Sequence, residues 1–130
     1  MKRTTILLGI ILLTLCAACS AAPTLNGTNW SLVTIDGVDI PANVEVTLSL
    51  KDGQAGGNAG CNGYGSEYTQ KGEQLTFTAA LSTMMYCEGI MEVESGYLAA
   101  LPQIRFYKME GGKLLLLDDS FSTRLIFSPQ

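Results

Sequence analysis

Residues 56–68, GGNAGCNGYGSEY, set five glycines around a single cysteine, Cys61. A glycine-rich segment loses more conformational freedom on folding than any other, so it adopts one shape only if something outside it holds it there. Four kinds of site put a cysteine in such a place: a phosphate-cradling loop, a nucleophile, a metal ligand, or half of a disulfide. The choice among them limits both the fold and the function.

The N-terminus reduces the choice. It reads MKRTTILLGIILLTLCAACS, with Lys2 and Arg3 ahead of an apolar run, residues 6–15, and then small residues before Cys19. The run is too short to span a bilayer and has the form of a secretory signal. It resembles the bacterial lipoprotein subclass, with Ala18 before the modified Cys19 and with Cys16 at the position where leucine is usual. Cys16 is the poorer acceptor because bulky Leu15 precedes it. The reading is a signal peptide over 1–18, a lipidated Cys19 beginning a tether over 19–27, and one domain over 28–128. An ordinary signal cleaved near Ala22 is the competing pattern. Ser20 after the lipidated cysteine implies sorting to the periplasmic face of the outer membrane, or to the cell membrane in a host that has no outer membrane.

Removing the signal takes Lys2 and Arg3 from the eight basic residues and leaves six against twelve acidic ones, a net charge of −6. An acidic domain without a basic cluster repels phosphodiester backbones, which argues against nucleic-acid binding. Two cysteines remain, Cys61 and Cys87. In an oxidising compartment their default fate is a disulfide with each other, which stabilises the fold by roughly 3.5 kcal/mol in the chain-entropy model.

The rest of the chain reads mostly as strands. Residues 44–50, VEVTLSL, alternate cleanly, with Val44, Val46, Leu48 and Leu50 on one face. Asp36-Gly37, Asp52-Gly53 and Gly111-Gly112 are turn signals, and strands are expected over 28–35, 74–78, 104–109, 113–117 and 123–127. Residues 88–101 break the pattern: apolar positions recur every three or four residues and acidic ones gather near the start, as at a helix N-terminus. The spacing predicts one helix over 88–101, ended by Pro102. The fold expected is mainly β (α+β), a small antiparallel barrel or strongly bent sheet with this helix covering it.

Catalytic constellations are few. The chain has no histidine, which excludes Ser-His-Asp and Cys-His catalysis and histidine metal sites. The glycine run lacks Gly-Lys-Ser/Thr and the G-x-G-x-x-G spacing. Its glycines instead suit a barrel corner or a close approach of two backbones. Glu88 and Glu92, four apart on the expected helix, are the one paired-acid candidate for a carboxylate-dependent hydrolase. Asp118-Asp119 reads as a turn rather than a calcium site. Tyr64, Tyr68, Tyr86 and Tyr97 are available to line a ligand pocket, or to pack. No catalytic residue, metal or cofactor is assigned.

An ordered series of motifs then resembles the META, or HslJ-like, domain. Trp30 and Leu32 precede the Asp36-Gly37 turn. G-x-A-G-C-N spans 57–62, with Tyr64 and Gly65 beyond it. S-T-x-M-x-C supplies Ser82, Thr83, Met85 and Cys87, and M-x-x-E supplies Met91 and Glu94. The family-motif residues carried over are Trp30, Gly60, Asn62, Thr83, Met85 and Glu94. Met84 departs from the pattern, standing where a basic residue is common, and Gly63 and Gly65 enrich the segment in glycine. The resemblance implies a lipocalin-topology barrel with one helix, with Cys61 and Cys87 neighbours in space. It also implies an envelope lipoprotein or secreted protein, associated in some members with heat stress and novobiocin resistance, and no known catalytic activity or cofactor. The function expected is a non-enzymatic, monomeric lipoprotein held at the membrane by its lipid and acting on an envelope protein partner in a stress or envelope-maintenance role. The alternative is a hydrophobic-ligand module using the barrel interior.

Overall fold

The computed structural model describes residues 21–130. Cys19 and the signal pattern lie outside the described residues. Ten strands form one antiparallel sheet: β1 Thr28–Ile35, β2 Val38–Asp39, β3 Thr47–Lys51, β4 Gln54–Asn58, β5 Gly63–Lys71, β6 Gln74–Phe77, β7 Leu81–Ser82, β8 Phe106–Glu110, β9 Lys113–Leu117 and β10 Thr123–Pro129. Eight of them, β1, β3, β4, β5, β6, β8, β9 and β10, neighbour one another in chain order, and β10 pairs back onto β1 to close the ring. This is the up-and-down order of the expected lipocalin topology, although the ring is not a regular barrel. Its weak seam is β6 with β8, joined at the single register pair Gln74↔Phe106.

The alternation seen in the sequence becomes the inner wall. Val44, Val46, Leu48 and Leu50 are buried, whereas Glu45 and Ser49 are exposed. The regular strand begins only at Thr47, but Val46 already accepts a hydrogen bond from Leu32 N–H (2.9 Å). Asp36-Gly37, Asp52-Gly53 and Gly111-Gly112 close two-residue hairpins, as their composition suggests. The glycine-rich stretch is two paired strands, β4 and β5. At Gly57 a side chain would lie 2.5 Å from the Thr47 carbonyl oxygen, so glycine is what lets β4 pass so close to β3.

The helix, α1, runs Met91–Ala100 and continues as a 3-10 turn over Leu101–Gln103. It starts three residues later than the periodicity suggests because Gly89 has φ +77°, a left-handed conformation incompatible with a helix interior. Pro102 does not stop it at 101. Proline sits instead near the start of the 3-10 turn, where its missing N–H costs nothing. The helix turns Glu94, Tyr97, Ala100 and Leu101 inward and plugs one end of the ring. Side chains occupy the interior, among them Tyr97, Phe127, Leu48, Leu75 and Leu116.

The opposite end is closed by the N-terminal segment. Leu25 is 2% exposed and belongs to the core. Its N–H donates to Gln70 Oε1 (2.9 Å), and the Pro23 carbonyl accepts from Gln70 Nε2 (2.9 Å) and from the Tyr107 hydroxyl. Residues 23–27, expected to be part of a tether, therefore lie docked against the sheet.

Candidate functional site

The motif residues meet beneath the helix N-terminus, at the turn between β4 and β5. Cys61 and Cys87 form a disulfide with their Cα atoms 5.7 Å apart. Glu94, one turn into α1 and 4% exposed, reaches the same turn. Its Oε2 accepts from the N–H groups of Cys61 (2.9 Å) and Asn62 (2.7 Å), and its Oε1 accepts from Asn62 Nδ2 (2.6 Å). Burial by itself raises the pKa of such a carboxyl. The side-chain and backbone hydrogen bonds of Asn62, with that of Cys61, outweigh it and hold Glu94 below the ordinary carboxylate range.

Asn62 is 1% exposed and uses its full hydrogen-bonding capacity. Besides Glu94, its Nδ2 donates to the Met85 carbonyl (3.0 Å), and its Oδ1 accepts from Thr83 Oγ1 (2.8 Å) and Met85 N–H (2.8 Å). Its backbone carbonyl accepts from Ala59 N–H (2.8 Å) and tightens the turn. Gly60 stands where a Cβ would come within 3.0 Å of Ile90 Cγ2, so the turn packs directly under the segment that leads into the helix. The result is a lock joining the β4–β5 turn, the segment 83–87 and the helix.

The carried-over residues thus divide by role. Gly60, Asn62, Thr83 and Glu94 share the lock, and Met85 joins it through its backbone. The Met85 side chain is 60% exposed, and Met84 beside it 97%. Leu81 and Tyr86, close to them in the chain, are also exposed, so large apolar side chains are concentrated at 81–86. Met84 occupies a position where the fold places no demand on the side chain. Trp30 lies apart, buried in β1, with its indole N–H donating to Thr28 Oγ1 (2.7 Å).

The remaining candidates separate. Glu88 precedes the helix, so it and Glu92 are not helical neighbours four apart; both are exposed and share no enclosed site. Tyr64 and Tyr97 are core residues whose hydroxyls hydrogen-bond each other, and Tyr64 also donates to the Thr47 carbonyl (2.8 Å). Burial pushes both phenols well above their ordinary pKa. Tyr68 packs on Phe77, and Tyr86 is exposed. Asp118 caps its own turn, accepting from Ser120 N–H (2.9 Å) and Ser122 N–H (3.1 Å). Among the described residues no group of three His, Cys, Asp or Glu side chains is placed to hold a metal, and no helix is long and apolar enough to cross a membrane.

Sequence reasoning missed Leu25, Gln70 and Tyr107. A lone leucine inside the small, polar stretch SAAPTLNG was the available signal for the first. Nothing local marks the other two, because their partners lie 47 and 84 residues away.

Comparison with known proteins agrees with this geometry. A protein from Burkholderia xenovorans, solved by NMR, is 28% identical, with a TM-score of 0.66 over 82% of this chain and 83% of its own. A second NMR structure, at 16% identity and a TM-score of 0.63, covers 79% of this chain and 89% of its own. The crystal structure of a DUF4847 family protein from Bacteroides vulgatus ATCC 8482, at 14% identity and a TM-score of 0.58, covers 80% and 93%. These last two show the fold alone. Among curated proteins none matches the sequence. The META domain model matches residues 23–130, beginning where Pro23 docks on the sheet, and the chain belongs to the META domain family, of which HslJ-like proteins are a member type and for which no catalytic activity is known.

Proposed function

We propose that this protein is a non-enzymatic envelope lipoprotein, anchored through Cys19, that acts on another envelope protein in a stress or envelope-maintenance role. One observation carries the reading. The polar motif residues spend their hydrogen bonds on one another and on the backbone of 83–85, so none is directed at a substrate, while the segment they fix presents Met84, Met85 and Tyr86 to solvent, next to the exposed Leu81 of β7. A carboxylate with a lowered pKa and both oxygens occupied is a poor general acid or base. Large apolar side chains exposed together on a rigid support suit a contact surface. The disulfide fits an oxidising, extracytoplasmic compartment.

The test is photocrosslinking in intact cells, with the crosslinker placed at Tyr86 and, as a control, at Ser120. Discrete adducts from Tyr86 alone, lost in Asn62→Ala, support the surface. Equal labelling from both positions removes it. Anchoring is read separately from palmitate incorporation, which Cys19→Ser must abolish.

A hydrophobic ligand is the second reading, now displaced from the interior to the surface. The interior is occupied by side chains, but an open cleft of about 510 Å³ lies beside the helix, where Ile35, Val38, Ile40, Pro41 and Val93 line it together with the acidic Asp36, Asp39 and Glu92. Lipid co-purifying with the native protein in mass spectrometry, and lost in Val93→Asp, favours this reading over protein contact.

A further inference from the structure

We propose that the domain stands on the membrane in a fixed orientation, with the end that receives the N-terminal segment set against anionic phospholipid headgroups and the helix end turned away. The inference rests on anchoring through Cys19, as proposed above. Its geometry comes from where the described chain is pinned. Pro23 and Leu25 are tied to Gln70 and Tyr107, so only residues 20–22 separate a lipidated Cys19 from the sheet. At about 3.6 Å per fully extended residue, that link spans no more than about 14 Å. The barrel has no slack to tumble, and the end carrying Pro23 must lie close to the headgroups.

The charge distribution agrees with this pose. The chain after residue 18 has four lysines, Lys51, Lys71, Lys108 and Lys113, and all four are exposed. Lys51 ends β3, Lys71 ends β5, Lys113 begins β9, and Lys108 lies two residues from the end of β8. In an up-and-down ring these are the hairpin tips at one end. It is the end where β1 begins, where Leu25 enters, and where Ala21 and Ala22 share a groove with Tyr107, Lys108 and Met109. Lys108 also pairs with Glu110 (3.3 Å), both well exposed. Counting Asp52, Glu73, Glu110 and mid-strand Glu67, this end carries no net charge. The other eight carboxylates, among them Asp36, Glu45, Glu92 and Asp119, face only Arg105 and Arg124, which leaves −6 at the helix end. An anionic surface repels the acidic end and admits the neutral end, where the lysine tips offset the neighbouring carboxylates. Its field decays over about 8–10 Å at physiological salt, a distance comparable to the reach of the link.

The test is hydrogen exchange on the full acylated protein. It is reconstituted in vesicles of phosphatidylethanolamine with phosphatidylglycerol, three to one, and in vesicles with phosphatidylcholine replacing the phosphatidylglycerol. In the anionic vesicles, amides at the tips 52–54, 71–73 and 110–113 should exchange about threefold or more slowly, and 0.5 M salt should reverse the effect. Amides at 83–87 and 118–122 should be unchanged. Lys71→Glu/Lys108→Glu/Lys113→Glu should abolish the tip protection while the protein still floats with the vesicles. Slowing at the helix end, or equal exchange in both vesicle types, overturns the orientation. The mass of the N-terminal peptide from the same sample reports acylation. An unmodified Cys19 overturns the anchoring reading and this inference together, whereas an acylated Cys19 without tip protection overturns the orientation alone.

Discussion

At the helix end of the ring, a carboxylate is taken out of water and surrounded by three N–H donors, with a disulfide beside it. At the opposite end, a leucine fills the opening and a glutamine and a tyrosine tie down the backbone around it. Both ends face the same difficulty, since a closed sheet leaves apolar side chains exposed at its mouths. The helix end must also position a flexible, glycine-rich turn and an irregular segment, 83–87, that lack ladder partners. Charged hydrogen bonds and a covalent link are suited to that, because they are directional. The N-terminal end only needs filling, and apolar burial with neutral hydrogen bonds suffices.

The comparison breaks most readily at Glu94. Glu94→Ala leaves three N–H donors without their acceptor, two of them buried, and should cost about 3–5 kcal/mol in denaturant unfolding, since each unsatisfied buried donor costs about 1–3 kcal/mol. A loss no larger than that of Leu25→Ala would mean that the two ends do not differ as argued. Acid sharpens the same point. The folded pKa of Glu94 lies below its unfolded value, so its contribution is complete above the ordinary carboxylate pKa of about 4.3 and disappears as pH falls through the folded value. Glu94→Gln cannot titrate, so the stability gap between it and the natural protein should close on acidification below about pH 4. A gap constant from pH 7 to pH 2 contradicts a charged Glu94.

Next in size is the disulfide. Reduction, or Cys61→Ser with Cys87→Ser, should remove roughly 3.5 kcal/mol, with the midpoint of thermal unfolding read against the oxidised protein. Thiol titration of native protein must find neither cysteine free. Leu25→Ala should cost about 3 kcal/mol by opening a cavity at the N-terminal end. Hydrogen exchange should rise around 68–75 and 106–108 and stay unchanged at 60–62; acceleration at both ends would show that they are one cooperative unit. The smallest change expected is Tyr107→Phe, which deletes the hydroxyl bonded to the Pro23 carbonyl and should cost about 1 kcal/mol.

These contrasts also explain which features were legible in advance. The inner face of 44–50, the three two-residue turns and the Cys61–Cys87 bond were readable because each depends on local pattern or on elimination. Periodicity sets the helix start too early because the apolar pattern runs back through Gly89, where the backbone is left-handed. Leu25 reads as part of a polar linker, since its seven neighbours within 20–27 are small or turn-forming and only docking reveals what one leucine does there. The lock is partly legible: family motifs single out Asn62 and Glu94, but nothing in the sequence pairs them. Their contact spans 32 residues, and no local preference encodes a bond of that range.

The sequence by itself determined six of the ten strands, the family and the oxidised cysteine pair, because periodicity, turn chemistry and cysteine number act over short stretches or by count. Only the tertiary structure decided that Glu94 is a buried acceptor rather than a solvated acid, that Met85 joins the lock through its backbone and leaves its side chain outside, and that every lysine of the domain falls at the end where the chain enters. Those outcomes depend on ring closure. Closing the sheet brings distant segments to one mouth or the other, and a charge changes from solvated to buried according to the mouth it meets.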